Sequence, residues 1–168
     1  KRIFVITSKS RYALKIMLDM ATQGAHCQQK RTDIAQKQGI PLDYMDHKLA
    51  SLKKAELLTT IRGRNGGLQL TCDPKTVSVW QIFAAVEVSL LPVACLESQT
   101  TCDHSLDCIS KEPWQEIFAS IKASLCKCIL QDLVDKSKII EYNTTNEVLQ
   151  SVQECKAPRR ATIGMGKV

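Results

Sequence analysis

The chain has 168 residues, 44% of them hydrophobic, and 23 Lys and Arg against 17 Asp and Glu give a formal net charge of +6. That length supports one cored domain plus an arm, and the composition excludes wholesale disorder. No apolar run approaches the roughly 18 residues of a membrane span, and residues 1–6 are too short for a secretory signal, so a soluble, cytoplasmic protein with no membrane partner is expected.

The charge is unevenly placed. Up to Gly67 there are 13 Lys and Arg against 5 Asp and Glu, whereas the remaining 10 basic and 12 acidic residues nearly cancel. A basic N-terminal part on a near-neutral remainder suits a phosphate-binding module joined to something else.

Ser10–Thr22 carries Tyr12, Ala13, Ile16, Met17, Met20 and Ala21 on one helical face. Ser8 and Ser10 are candidate N-caps, and Gly24 is a natural stop. A short second helix fits Thr32–Gln38, capped by Thr32, turned inward through Ile34 and Ala35, and ended by Gly39. Ile40-Pro41 opens a third, with Leu42, Met45, Leu49 and Leu52 at three-and-four spacing and an end near Ala55. Two helices joined by a tight turn make a helix-turn-helix.

The period then changes. Leu57–Ile61 and Leu68–Thr71 read as strands around Arg62-Gly63-Arg64-Asn65-Gly66-Gly67, a tip rich in residues that tolerate positive φ. A hairpin at this place is a wing. The expected fold is mainly α with a small β-hairpin wing, a winged helix-turn-helix over residues 1–88.

Val79–Val88 reads as a fourth helix, and residues 89–112 form a cysteine loop. Residues 113–136 read as one long amphipathic helix whose stripe of Trp114, Ile117, Phe118, Ile121, Leu125, Cys128, Ile129 and Leu133 suits packing against a second copy in a homodimer. From Ser137 the pattern dissolves, so residues 137–168 are expected to be a flexible basic tail.

The third helix is expected to expose Asp43, Tyr44, Asp46, His47, Lys48, Ser51 and Lys53 around its apolar stripe. Such side chains match base edges in a major groove, while Lys and Arg approach phosphates. Arg62 and Arg64 on the wing can enter a minor groove or lie along the backbone. Ser8, Lys9 and Arg11, at the start of the first helix, can anchor a phosphate. No catalytic constellation is found for His26, His47 or His104, and no phosphate loop or nucleophile elbow is present, so an enzyme is not expected.

Thr7-Ser8-Lys9-Ser10-Arg11-Tyr12-Ala13-Leu14, Asp33-Ile34-Ala35, Gly39-Ile40, Tyr44 through Lys54, Leu57, Arg62-Gly63 and Gly66-Gly67 follow one another in order before a three-cysteine loop. From about Thr7 to Val134 this set closely resembles the Rrf-type winged-helix transcriptional regulators, the group that includes IscR, NsrR, RirA and CymR. The resemblance implies sequence-specific binding of double-stranded DNA by a homodimer at a pseudo-palindromic operator, with Tyr44 and Asp46 in the reading position. Relatives commonly carry Glu where this chain has the shorter Asp46.

The loop runs Cys95, six residues, Cys102, five residues, Cys108. Zinc sites usually close with four ligands, including a closely spaced pair that this loop lacks. Three thiolates on a pliable loop suit an iron–sulfur cluster, [2Fe-2S] or [4Fe-4S]. Relatives of the IscR kind have five residues in the first interval and a histidine three residues beyond the last cysteine, where Lys111 stands here. Arg11 occupies the place of an acidic residue seen in NsrR-like proteins. The fourth ligand is left open among His104, Asp103, Asp107, Glu97 and a small molecule. The implied signal is iron, redox state or nitric oxide; the alternative is a cluster-free, CymR-like regulator acting through thiol oxidation or a protein partner. Of the other cysteines, Cys128 is expected in the core, Cys27 and Cys72 in loops or strand ends, and Cys155 in the tail.

Overall fold

In a computed structural model of the chain, described for residues 6–24, 27–63, 66–97, 108–140 and 142–143, the expected helix-turn-helix and hairpin both form. Two compact units divide at Val134 and Asp135. In the first, α1 (Ser8–Gln23) buries Ala13, Ile16, Met17 and Met20, the three-and-four spacing that makes one helical stripe. Thr7, rather than Ser8 or Ser10, is its N-cap, its hydroxyl accepting from the Lys9 N–H at 3.1 Å. Ser10 lies a turn further in, fully buried, because its hydroxyl donates to Glu87 Oε1 at 2.7 Å, a partner no local pattern reveals.

The second helix, α2 (Arg31–Gln38), starts after Lys30 without a side-chain cap. Thr32 is inside it and donates to Asp33 Oδ1 at 3.0 Å instead of capping. Gly39 ends it at φ +63°, the left-handed conformation that glycine adopts most easily. Buried Asp19 of α1 ties the two helices together: its Oδ1 takes the Lys37 ammonium at 2.6 Å and the Gln38 amide at 3.1 Å. The third helix, α3 (Leu42–Lys54), buries Met45, Leu49 and Leu52, while Leu42, expected on the same stripe, is 41% exposed at the helix start.

The wing is β1 (Leu58–Ile61), which starts one residue later than expected, antiparallel to β2 (Gly67–Leu70), displaced by one residue from the expected range, with Leu58 opposite Leu70 and Ile61 opposite Gly67. Leu58, Leu68 and Leu70 turn into the core. Gln29, just before α2, pairs with Leu68 through two backbone hydrogen bonds of 3.0 and 2.8 Å, fastening the hairpin base to the start of the helix-turn-helix.

Next, α4 (Val79–Val86) opens on a capping box between Ser78 and Gln81 and buries Val79, Ile82, Phe83 and Val86. It stops two residues short of the expected Val88, at Glu87, whose carboxylate accepts from the hydroxyls of Thr7 and Ser10. A 3-10 turn covers Ala94–Leu96.

The expectation of one unbroken helix over residues 113–136 is corrected. The helix α5 (Lys111–Lys127) ends at Cys128, where the backbone becomes extended. The break has a hydrogen-bonding cause: Cys128 O accepts from Val79 N at 2.9 Å, and Leu130 N donates to Val77 O at 2.8 Å. Cys128 packs against the core, as the sequence suggests. Helix resumes at residue 130 and carries Leu130 and Val134 into the core. In the second unit, residues 135–140 are helical, past the Ser137 at which the pattern was expected to dissolve. Most of the tail, with Cys155, lies outside the described residues.

Candidate nucleic-acid interface

The exposed side of α3 faces an open cleft of about 840 Å³ between the start of α2, α3 and the hairpin. Lys30, Arg31, Lys53 and Arg62 line it, with Asp46 as the acidic group in the same lining. Cations from three elements thus converge on one concavity beside the N-terminus of α2, where unpaired backbone N–H groups add partial positive charge. An anionic ligand is what this electrostatics favours.

Asp46 and Arg31 are paired. Arg31 Nη1 donates to Asp46 Oδ1 at 2.6 Å and also to Oδ2, with both side chains about half exposed. That hydrogen bond holds the Asp46 carboxyl below its usual range, and the charges of Arg31, Lys53 and His47 act in the same direction. Arg31 is correspondingly pushed up by Asp46.

Tyr44 is fixed on the other side of α3. Its hydroxyl shares a 3.1 Å hydrogen bond with Ser8, and its ring stands edge-on to Tyr12 at 5.4 Å. The Lys48 ammonium lies 4.6 Å from the Tyr44 ring centre. Here the expected exposure of Lys48 is corrected: the residue is only 7% exposed, with its ammonium over the Tyr44 ring. Ser51 is half-buried, and its hydroxyl donates to His47 O at 3.3 Å within the helix. His47, Lys53, Arg62, Ser8 and Arg11 are exposed, and Lys9 is half-buried. Arg64 lies outside the described residues.

Sequence reasoning passed over Lys30 and Arg31. A basic pair at a helix N-terminus opposes the helix dipole, and that conflict is the signal that could have found them.

Of the loop thiols, Cys95 is half-buried on the 3-10 turn, and Cys108 lies 3.0 Å from the Ser110 hydroxyl, whose hydrogen bond lowers the thiol pKa. Cys102 and His104 lie outside the described residues. Lys111, at the position of the relatives' histidine, is the first residue of α5.

A helix-turn-helix leading straight into a two-stranded hairpin, with cations of all three parts around one cleft, defines a winged-helix DNA-binding regulator. Residues 6–136 match the Rrf2 family, described as iron-dependent transcriptional regulators, and the chain belongs to that family; it is a transcriptional regulator and not an enzyme. It is 30% identical to the HTH-type transcriptional regulator IscR of Vibrio vulnificus over 143 residues, covering 85% of this chain and 84% of that protein. Among solved structures, CymR, the global cysteine regulator of B. subtilis, is 28% identical with a TM-score of 0.64, over 79% of this chain and 97% of that one. The IscR of T. potens shares the fold at a TM-score of 0.65 and 24% identity, over 79% of this chain and 88% of that chain.

Proposed function

We propose that the chain acts as a homodimer that reads a pseudo-palindromic duplex operator and responds to iron, redox state or nitric oxide through an iron–sulfur cluster. The observation that carries the DNA-reading part is the cleft that gathers Lys30, Arg31, Lys53 and Arg62 beside the outer face of α3. In this reading Tyr44, Asp46, His47 and Ser51 meet base edges in the major groove. Lys53, Arg62 and Arg64 take phosphates or the minor groove, and Ser8, Lys9 and Arg11 anchor the backbone at the start of α1. Lys48, whose ammonium lies over the Tyr44 ring, holds that side chain in place. Dimerisation is supported by α5: none of its residues is buried within the chain, and Trp114 and Ile117 are 40% and 47% exposed.

Cys95, Cys102 and Cys108 would hold the cluster, with His104 a candidate fourth ligand. The donor chemistry fits, since thiolate is the ligating form and the Ser110 hydroxyl favours it at Cys108. When bound, the cluster supplies an inorganic centre whose presence and oxidation state follow iron, oxygen and nitric oxide. The chain's own part is to join that loop to the DNA-reading elements. Glu87, on the segment leading to Cys95, holds Thr7 and Ser10, which flank the Ser8 that bonds Tyr44.

Likeness to CymR supports a second reading, a cluster-free regulator acting through thiol oxidation or a protein partner. Anaerobic purification with iron and sulfide quantification separates the two. Iron, sulfide and visible absorption in the wild type, lost in a folded Cys102→Ala variant whose operator binding no longer follows nitric oxide, support the cluster. A colourless anaerobic protein, or a Cys102→Ala variant that still responds, overturns it.

A further inference from the structure

The Arg31–Asp46 pair joins the first residue of α2 to the outer face of α3, within the lining of the basic cleft. Both carboxylate oxygens are engaged by a single guanidinium nitrogen. A free aspartate on a reading helix accepts from a cytosine amino group and repels phosphates and the acceptor edges of guanine. A carboxylate tied to a guanidinium does both more weakly, because the cation offsets its charge and each oxygen already accepts one charge-assisted bond.

We propose that Arg31, although outside the reading helix, is a specificity-determining residue: by engaging Asp46 it masks the acid and sets the base preference at the operator position that Asp46 faces. The inference rests on the reading that α3 faces the major groove. Arg31 acts here as a positioning residue, through Asp46, and its contribution is to selectivity rather than to stability. An exposed ion pair of this kind adds little to folding. Lys53, Arg62 and Lys30 remain in the cleft to meet phosphates, so general attraction to duplex DNA survives the loss of Arg31.

The test is selection of bound duplexes from a randomised pool by the full-length wild type, Arg31→Gln, Arg31→Lys, Asp46→Asn and the Arg31→Gln/Asp46→Asn double variant. Arg31→Gln frees the carboxylate and is expected to raise the preference for cytosine at one position of each half-site about tenfold. Arg31→Lys restores most of the wild-type preference. Asp46→Asn abolishes the dependence on Arg31, so it and the double variant enrich the same base there, the non-additivity that marks a coupled pair. If Arg31→Gln enriches the wild-type motif and binds every sequence uniformly more weakly, Arg31 is a phosphate contact alone and the inference is overturned. If the wild type enriches no motif at all, the DNA-reading proposal itself has failed, and this inference falls with it.

Discussion

Gly67 stands where β2 passes the chain entering α2. A Cβ built there would sit 2.6 Å from Gln29 O and 3.0 Å from Gln29 C, both backbone atoms that cannot swing aside as a side chain would. Its φ is not in the left-handed region, so space rather than backbone conformation makes glycine necessary. In Gly67→Ala the wing base must move away from Gln29, disturbing the 3.0 and 2.8 Å hydrogen bonds between Gln29 and Leu68. At about 1 kcal/mol each, less roughly 0.5 kcal/mol gained by stiffening the unfolded chain, the net loss is about 1.5 kcal/mol. In a chain of this size that lowers Tm by roughly 3–6 °C. The same displacement carries Arg62 off the cleft, so affinity for the selected operator should fall by about tenfold, the scale of one lost contact. Thermal melting by circular dichroism and titration of a labelled duplex measure the two effects. Gly39→Ala is the control: its φ is +63° with nothing within 4 Å of an added Cβ, so it should lose about 1 kcal/mol through backbone strain and leave the wing in place. A Gly67→Ala protein that melts within 1 °C of the wild type and binds the operator equally would refute the close approach.

Further outcomes follow from the buried polar ties. Asp19→Ala removes the acceptor of both Lys37 and Gln38, and about 2 kcal/mol of stability should go with it in chemical denaturation. Glu87→Gln turns the charge-assisted bonds from Thr7 and Ser10 into neutral ones. About 1 kcal/mol should be lost, with faster amide exchange in the first turn of α1. Burial pushes the Cys72 thiol above its ordinary range, so its alkylation should lag behind that of exposed Cys27 and Cys126 at neutral pH. Because the raised pKa belongs to the folded state, the associated stability is complete below the unfolded thiol's pKa. It declines as pH rises through the folded value.

Where periodicity and punctuation agreed, the sequence was readable. The Ala13–Ile16–Met17–Met20 stripe, Gly39, Pro41 and the Gly-rich hairpin tip all placed their elements within a residue or two. Long-range partners overrode local rules elsewhere. Ser10 is a good cap former on its own, yet Glu87, 77 residues away, draws it inside. The long C-terminal stripe has no breaker near Cys128, and it breaks because the 128–130 backbone pairs with Val77 and Val79. Lys48 was misjudged for a related reason: a lysine on the edge of a stripe can bury its stem when an aromatic ring such as Tyr44 receives the ammonium. Arg31 is unremarkable in one dimension and becomes informative only beside Asp46. The three-cysteine loop was read from spacing and resemblance alone, and Cys102 and His104 lie outside the described residues.

The most direct test of the account places a photoreactive side chain at His47 on α3, Arg62 on the hairpin or Ala84 on α4, and irradiates each protein with its selected duplex. All three positions are exposed, so labelling reports which of these elements DNA approaches. Strong crosslinks from positions 47 and 62, with none above background from 84, are expected. Crosslinks concentrated at 84, or equal at all three and unchanged on a scrambled duplex, would contradict the claim that α3 and the wing together read DNA.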